Sequence, residues 1–361
     1  MRFTQFRLEA VSLFAAALLA ACGGGGSSGD ATVATAGSAQ GNHSATPPDL
    51  VYGAGSATLL SPVATSPVLP VPSGNVTADG VAYINVMRQA VGLPPLALDA
   101  GLTTASSGHV AYLVANQTTG HTETPGLPDY VGATPQARIE AQGNYPTYGE
   151  VVVAGPTSAF PDSLTPVQTL FDAPYHRIVM LDDFQSMGAA SSISTTNNWE
   201  AFDIDFGNDS GAMSSSTLVA YPYAGQQGVP TDWFSNESPN PFASATQYEM
   251  TTVGYPVTIQ GGLTSTLSEI NFTITDASGN NVPCLAHTPQ TDPDELSNAA
   301  LCAPYQPFAG NTNYTVHVTG VLTAGGSEQP IDITWSFSTA VSSEANAALQ
   351  GSTANRPLPL F

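Results

Sequence analysis

Two histidines and a glutamate lie in segments where their side chains could carry chemistry. His121 stands in a glycine-rich loop, Glu150 begins the apolar run EVVVAG, and His176 lies in the segment DAPYHRIVML. Neutral imidazoles and carboxylates are suitable ligands for Zn²⁺ or another divalent ion, with water completing the coordination. The same groups could transfer protons if their surroundings tune their pKa values. Taken alone, His121 is more often a turn or surface residue than a ligand.

The charge of the chain restricts the classes of partner. Its 361 residues include 28 Asp and Glu but only six basic residues, all arginine, and the net charge is −22. Phosphate backbones and anionic membrane surfaces repel such a protein, so nucleic acid is excluded as a partner. Only 9% of residues are charged, and small polar residues are abundant, as is common in secreted β-rich proteins.

The N-terminus resembles a bacterial lipoprotein signal. Arg2 and Arg7 lie at the start, and residues 10–21 form an apolar stretch too short to span a membrane as a mature helix. The stretch ends in Leu-Ala-Ala-Cys22, which is similar to a lipobox. The resemblance implies a lipid anchor on Cys22, and Gly23 favours the outer membrane or cell surface of a Gram-negative bacterium. An ordinary export signal with an incidental cysteine is the alternative.

Changes in composition divide the chain into six parts. Residues 23–75 are rich in Gly, Ser, Ala, Thr and Pro, which predicts a disordered tether. The predicted parts are the signal and lipobox at 1–22, the tether at 23–75, a first folded domain at 76–223, a proline-rich connector at 224–246, a β-domain at 247–341 and a disordered tail at 342–361.

Helix starts and strand patterns predict an α+β fold for the first domain. Candidate helix starts occur at Asp79, Asp99, Thr134-Pro135 and Thr165-Pro166. Strands with β-branched or aromatic residues are predicted at 148–155, 187–194, 199–207 and 217–221. Helices followed by antiparallel strands indicate an α+β sandwich rather than a parallel sheet.

The second domain is predicted to be an all-β sandwich that resembles bacterial Ig-like domains. Alternating strands separated by turn residues run from Gln247, and YTVHVTGVLT with ITWSFSTA is similar to the closing strands of that family. Cys284 and Cys302 are the remaining cysteines, and in an exported chain such a pair most often forms a disulfide. A metal site on both would need further soft ligands, and only His287 is near.

The first domain resembles the CAP superfamily in its bacterial extracellular form, over roughly 76–223. The family pattern begins with a helix carrying Asn and Arg, continues through Gly-Leu-x-Pro-Leu and Leu-Asp, and then passes a series of His, Glu and Gly landmarks. The matching residues are Asn85, Arg88, Gly92 to Leu96, Leu98-Asp99, Ala105, His109, Gly120-His121, Arg138, Gly143, Gly149-Glu150, Pro174 to Arg177 and Gly188.

The resemblance implies a three-layer α-β-α sandwich with a cleft. His121, Glu150 and His176 match the cleft residues of the family, and Asp172 is the match for its second acid. The implied cofactor is Zn²⁺ or another divalent ion, held by His121 and His176. Val151 stands where the family has Asn after the glutamate, which alters the hydrogen bonding expected around Glu150.

Three polar residues near the cleft have other predicted roles. His109 shares a helix face with apolar residues, so we expect a satisfied core or cleft-wall histidine. Glu123, two residues after His121, is predicted to be a solvated loop acid, although it could approach the cleft. Arg138 is expected to pair with a carboxylate at the rim of the core.

Two acids on one strand and a second arginine are predicted to lie at the surface. Asp203 and Asp205 alternate with apolar residues, which indicates the exposed face of a strand rather than a metal pair. Arg177 directly follows His176 and is predicted to point away from it. We expect Arg177 to form an ion pair with a carboxylate on the surface or rim.

The sequence favours a binding module over an enzyme. It has no Gly-x-Ser-x-Gly elbow, no His-Glu-x-x-His helix and no phosphate-binding glycine loop. The leading hypothesis is a cell-envelope module whose cleft binds a divalent metal or a small, apolar or envelope-derived ligand. One alternative is a metal-assisted hydrolase acting on peptide or peptidoglycan, with Glu150 as general base. Another is a structural surface protein with a vestigial cleft.

Overall fold

The computed structural model describes residues 50–61, 67–292 and 295–341. The predicted signal, most of the predicted tether and the predicted tail lie outside these residues. Within the described ranges, no helix has both the length and the apolar character needed to cross a membrane.

Five α-helices lie in the first half of the described chain. They are α1 (Val76–Ala90), α2 (Ala100–Asn116), α3 (Pro135–Glu140), α4 (Thr165–Asp172) and α5 (Pro174–Met180). The predicted caps of α2 and α3 are present, because Asp99 accepts a hydrogen bond from the backbone N–H of Leu102 and Thr134 accepts one from that of Ala137. At α1 the cap is Asn75 rather than Asp79, which instead lies buried in the first turn.

Fifteen strands form the described sheets. They are β1 (Val51–Tyr52), β2 (Thr58–Leu59), β3 (Ala97–Leu98), β4 (Tyr148–Pro156), β5 (Phe184–Ser194), β6 (Trp199–Asp209), β7 (Thr217–Tyr221), β8 (Asp232–Phe234), β9 (Thr252–Gly254), β10 (Val257–Gln260), β11 (Thr266–Asp276), β12 (Cys284–His287), β13 (Ala299–Pro304), β14 (Asn313–Ala324) and β15 (Ser327–Ser338). The described part of the protein is therefore a mixed α+β structure.

The sheet that carries the candidate site has helices on both faces. Its strand order is β3-β5-β6-β4, with β6 antiparallel to both β4 and β5. On one face Val151 and Phe202 belong to the same core as α1, α4 and α5, and on the other Val152 packs with Val110 of α2. Gly188 allows α2 to approach, because a Cβ there would lie 2.0 Å from the backbone nitrogen of Thr103.

Two further sheets share one hydrophobic core. Their strand orders are β1-β15-β14-β11 and β12-β13-β10-β7-β2, and a two-stranded sheet pairs β8 with β9. Val257 and Ile259 of the second sheet belong to the same buried cluster as Ile333 and Trp335 of the first. The predicted disulfide between Cys284 and Cys302 is confirmed, and it joins the neighbouring strands β12 and β13.

The division into sequential parts differs from the one predicted. β7 was expected to close the first domain, but it pairs with β10 of the second. β1 and β2 lie in the predicted tether, yet they pair with β15 and β7. The strands at both ends of the described chain therefore share sheets, and the helical part lies between them in sequence.

Arg177 lies in the core where the two parts join, and the prediction of a surface ion pair was wrong. Its side chain is fully buried, with the guanidinium carbon 4.9 Å from the ring centre of Tyr221 and 5.0 Å from that of Tyr255. It donates a hydrogen bond of 2.8 Å to the carbonyl of Pro256. The reason is that β7 and β10 pack against α5. The guanidinium of Arg177 therefore lies over aromatic rings instead of pairing with a carboxylate at the surface.

Candidate functional site

His121 is held by Glu150. Glu150 lies on β4 with 1% of its surface exposed, and its Oε1 is 2.7 Å from Nδ1 of His121. An ionised carboxylate only accepts hydrogen bonds, so Nδ1 of His121 is the donor in this contact. The hydrogen bond therefore turns the Nε2 side of His121 away from Glu150.

Arg138 is the cation beside Glu150. From α3 it donates to Oε2 of Glu150, to the carbonyl of His121 at 3.1 Å and to that of Gly132 at 3.2 Å. Burial alone would raise the pKa of Glu150, but the His121 hydrogen bond and the Arg138 charge lower it to about 2. The predicted pairing of Arg138 with a core carboxylate is confirmed. Glu150 is thus ionised and weakly basic at neutral pH.

His176 is held by an acid that the sequence interpretation did not include. Glu237, from the predicted connector, has its Oε1 2.7 Å from Nδ1 of His176 and accepts the backbone N–H of the same residue at 2.8 Å. Glu237 is 2% exposed. Burial raises the pKa of Glu237, while the hydrogen bond with His176 opposes that effect. A second His–carboxylate pair therefore faces the first.

Asp172 does not occupy the position that the family resemblance implied. Its Oδ1 accepts a hydrogen bond of 2.7 Å from the hydroxyl of Tyr255, and Arg177 is a neighbouring charge. Burial raises the pKa of Asp172 to about 6. Asp172 is at the end of α4, so its side chain points into the junction near β10, and Glu237 contacts His176 in its place.

The two imidazoles lie next to each other with nearly parallel planes. Their ring centres are 6.3 Å apart and their planes differ by 22°. A ring bound to zinc through nitrogen has its centre about 3.2 Å from the ion, so two rings on one tetrahedral ion lie about 5.2 Å apart, and binding would require the rings to turn and approach by about 1 Å. With Nδ1 of each ring bonded to a carboxylate, His121 and His176 would bind an ion through Nε2, as metal-binding histidines usually do.

The cavity beside the two rings is small and lined by residues from both parts of the protein. Its volume is about 20 Å³. This is enough for a water molecule or an ion but well below the size of a typical ligand pocket. The lining residues are His121, Glu150, Val151, Tyr175, His176, Ile178, Val179, Ser238, Pro239, Glu295 and Leu296.

Asp203 and Asp205 were predicted to be exposed, and this was wrong. Both are fully buried, because α2 covers the face of β6 that was expected to meet solvent. Together with Glu150 they offer carboxylate oxygens within 4.8 Å of one another. Burial and the nearby Glu150 charge raise the pKa values of both aspartates well above their usual range. The charged forms of both aspartates are therefore disfavoured beneath the His121–Glu150 pair.

His109 and Glu123 form a buried support behind the loop of His121. Nδ1 of His109 lies 2.9 Å from Oε1 of Glu123, and its Nε2 lies 3.0 Å from the carbonyl of Gly120. His109 is thus a satisfied core histidine, as predicted. Glu123 is only 4% exposed and accepts backbone N–H groups from Val131 and Gly132, so the prediction of a solvated acid was wrong. Folding of the loop against α2 is the cause.

One family model matches the helical part of the chain. Residues 81–202 match the model of the CAP family, described as the cysteine-rich secretory protein family. No curated protein sequence matches the chain.

Two solved structures are similar to part of the chain. One is an outer surface protein from Borrelia burgdorferi, with 21% identity over 36% of this chain and 89% of the other, at a TM-score of 0.31. The second is an extracellular protein containing an SCP domain from Bacillus anthracis str. Ames. It has 19% identity over 37% of this chain and 40% of the other, also at a TM-score of 0.31.

Proposed function

We propose that this protein, whose residues 81–202 form a domain of the CAP extracellular family, holds a divalent metal ion, Zn²⁺ by preference, between His121 and His176. Glu150 and Glu237 act as positioning residues that fix the two imidazoles. When bound, the ion would supply a Lewis-acidic centre with coordination positions left for water or a ligand group. The protein then serves as a binding module at the cell envelope.

The observation that carries this proposal is the pair of facing His–carboxylate contacts, each 2.7 Å long. A carboxylate on Nδ1 fixes the tautomer, orients the ring and makes Nε2 a better ligand. Imidazole favours zinc and similar ions over calcium or magnesium. The net charge of −22 also attracts cations to the protein.

Two other functions considered from the sequence find less support. A general base works best with a pKa near the operating pH, and the pKa of Glu150 is about 2. An apolar ligand would need a pocket of several hundred Å³, whereas the cavity holds about 20 Å³. A metal-binding module therefore fits the site better than a hydrolase using Glu150 or an apolar-ligand carrier.

The remaining parts of the chain fit an envelope protein. We interpret the sheets formed by β7 and β10 to β15 as an Ig-like unit, which β1 and β2 complete. Cys22 would attach the protein to the outer membrane through lipid, and the predicted tether would hold the folded part away from the bilayer. A fragment that begins after β2 would lack two paired strands, so tests require the full chain.

Zinc is expected to stabilise the folded protein. At a zinc concentration about 100 times the Kd, mass action adds roughly 2.7 kcal/mol, or about 5 °C in Tm. The wild-type protein and a His121→Ala/His176→Ala variant are compared by melting with zinc or with EDTA, and by zinc content after dialysis. The variant is expected to retain no bound zinc and to show no rise in Tm when zinc is added. Equal zinc content and equal shifts in the two proteins would refute the proposal.

A further inference from the structure

A second cleft lies toward the other end of the strands that carry the histidine site. It forms where the N-terminus of α1 meets the ends of β5 and β6, and its volume is about 420 Å³. Pockets of about 300–1,000 Å³ are the usual size for small-molecule ligands. Its lining includes Asn75, Phe160, Asp162, Ser192, Ile193 and Glu200.

Glu200 is the unusual residue of this cleft. It is only 6% exposed, yet no described side chain or backbone group is hydrogen-bonded to its carboxyl group, and no described arginine pairs with it. Burial raises the pKa of Glu200 to about 7. Near neutral pH the group can therefore both accept and donate hydrogen bonds. The carboxyl group opens onto the cleft, where a bound ligand can hydrogen-bond with it.

The remaining polar atoms of the cleft are of mixed type. Asn75 uses its Oδ1 to cap α1, which leaves its amide N–H₂ as a donor toward the cleft. Asp162 uses Oδ1 for the N–H groups of Leu164 and Thr165, so its Oδ2 can accept. Ser192 supplies a hydroxyl, which donates and accepts. The cleft therefore offers both donors and acceptors, and Ile193 adds an exposed apolar surface.

The electrostatics of the cleft disfavour ions of either sign. The lining has two carboxyl groups and no lysine or arginine, which repels anions despite the N-terminus of α1. A cation would meet the positive end of the α1 dipole and would have to bind a carboxyl group that burial favours in its neutral form. A neutral ligand with many hydroxyl groups is neither repelled by the carboxyl groups nor placed unfavourably at the positive end of the α1 dipole.

We propose that this cleft is a binding site for a neutral saccharide, with Glu200 as the central hydrogen-bonding residue. A disaccharide offers hydroxyls for Glu200, Ser192 and Asn75, and it has an apolar ring face that can lie on Ile193. The volume of about 420 Å³ is adequate for two sugar rings in an open cleft.

The saccharide site is separate from the histidine site. Along β4 and β6, Glu150 pairs with Asp205 whereas Gly155 pairs with Glu200. The offset is five residues, or about 17 Å along the strands. Glu200 also shares a sheet face with Phe202 and α1, whereas Glu150 faces α2. Failure of one site therefore does not imply failure of the other.

Cellobiose and N,N′-diacetylchitobiose are suitable probes for the full-length protein. Titration calorimetry and saturation-transfer NMR are expected to give millimolar binding of at least one of them. Glu200→Ala should weaken it about tenfold or more, because hydrogen bonds to the sugar are lost. Glu200→Gln should bind the disaccharide with an affinity within about threefold of the wild type, since the amide also donates and accepts hydrogen bonds.

Two further variants keep the result interpretable. Ser192→Leu fills the cleft from a half-buried strand position and should block binding, even if Glu200→Ala fails to fold. His121→Ala/His176→Ala should leave saccharide binding unchanged. The proposal is overturned if neither disaccharide binds at about 20 mM, if Glu200→Ala and Ser192→Leu both bind like the wild type, or if calcium or inorganic phosphate displaces the sugar.

Discussion

Replacing Arg138 by Met is expected to lower the free energy of unfolding by roughly 3–5 kcal/mol, because it removes the cation from a buried group of carboxylates. Arg138 is 1% exposed, donates to Glu150 and lies 3.7 Å from Glu123. Both acids are buried, so neither can regain its solvation when the guanidinium is lost. Urea unfolding at pH 7 in EDTA measures the change without a contribution from metal.

A double-mutant cycle separates the ion pair from lost packing. Adding Glu150→Gln to Arg138→Met removes the carboxylate that the guanidinium neutralises. We therefore expect the free energy of unfolding of the double variant to exceed that of Arg138→Met by about 1 kcal/mol or more. Glu150→Gln alone should destabilise, since it leaves Arg138 without its main acceptor. A cost below about 1 kcal/mol for Arg138→Met, within the usual range of a surface ion pair, would contradict the buried-pair interpretation.

Replacing Glu237 by Ala is expected to weaken zinc binding by about 10- to 100-fold, the usual cost of losing a carboxylate behind a metal-binding histidine. Glu237 Oε1 contacts both Nδ1 and the backbone N–H of His176. Without it, the tautomer and the orientation of the ring are no longer fixed. Zinc affinity is measured by competition with a chromophoric chelator.

Asp172→Asn is the matched control for this experiment. It also removes one carboxylate, four residues before His176 in the chain, but Asp172 is half-buried and bonded to Tyr255 at the junction near β10. We expect a change in zinc affinity of less than about threefold, since no contact to a proposed ligand is lost. A larger loss of zinc affinity in Asp172→Asn than in Glu237→Ala would indicate that Asp172 is the second acid of the site, as the family pattern implied.

Local signals in the sequence predicted the elements of the CAP domain well. The caps at Asp99 and Thr134 and the strands around Glu150 and Asp203 could be located because each depends on neighbouring residues. The order of family landmarks placed His121 and His176 on the same cleft. The faces of β6 could not be assigned, because alternation predicts two faces but does not predict that α2 covers the second one.

Contacts between distant segments could not be predicted. Glu237 lies 61 positions after His176, in a proline-rich segment without helical or strand periodicity. The available signal was an acid three residues after Phe234 in a chain with few charges, which indicates an acid with a partner. The two-residue strands β1 and β2 are too short to produce a pattern, and their pairing with β15 and β7 depends on segments more than 150 residues away.

The most direct measurement is a crystal structure of the zinc-loaded protein with anomalous scattering recorded above and below the zinc edge. We expect one anomalous peak between the two imidazoles, with Nε2 of His121 and Nε2 of His176 each at about 2.0–2.1 Å from the ion. Glu150 and Glu237 should remain on the Nδ1 atoms. A peak among Glu150, Asp203 and Asp205, or no peak in a zinc-saturated crystal, would contradict the account.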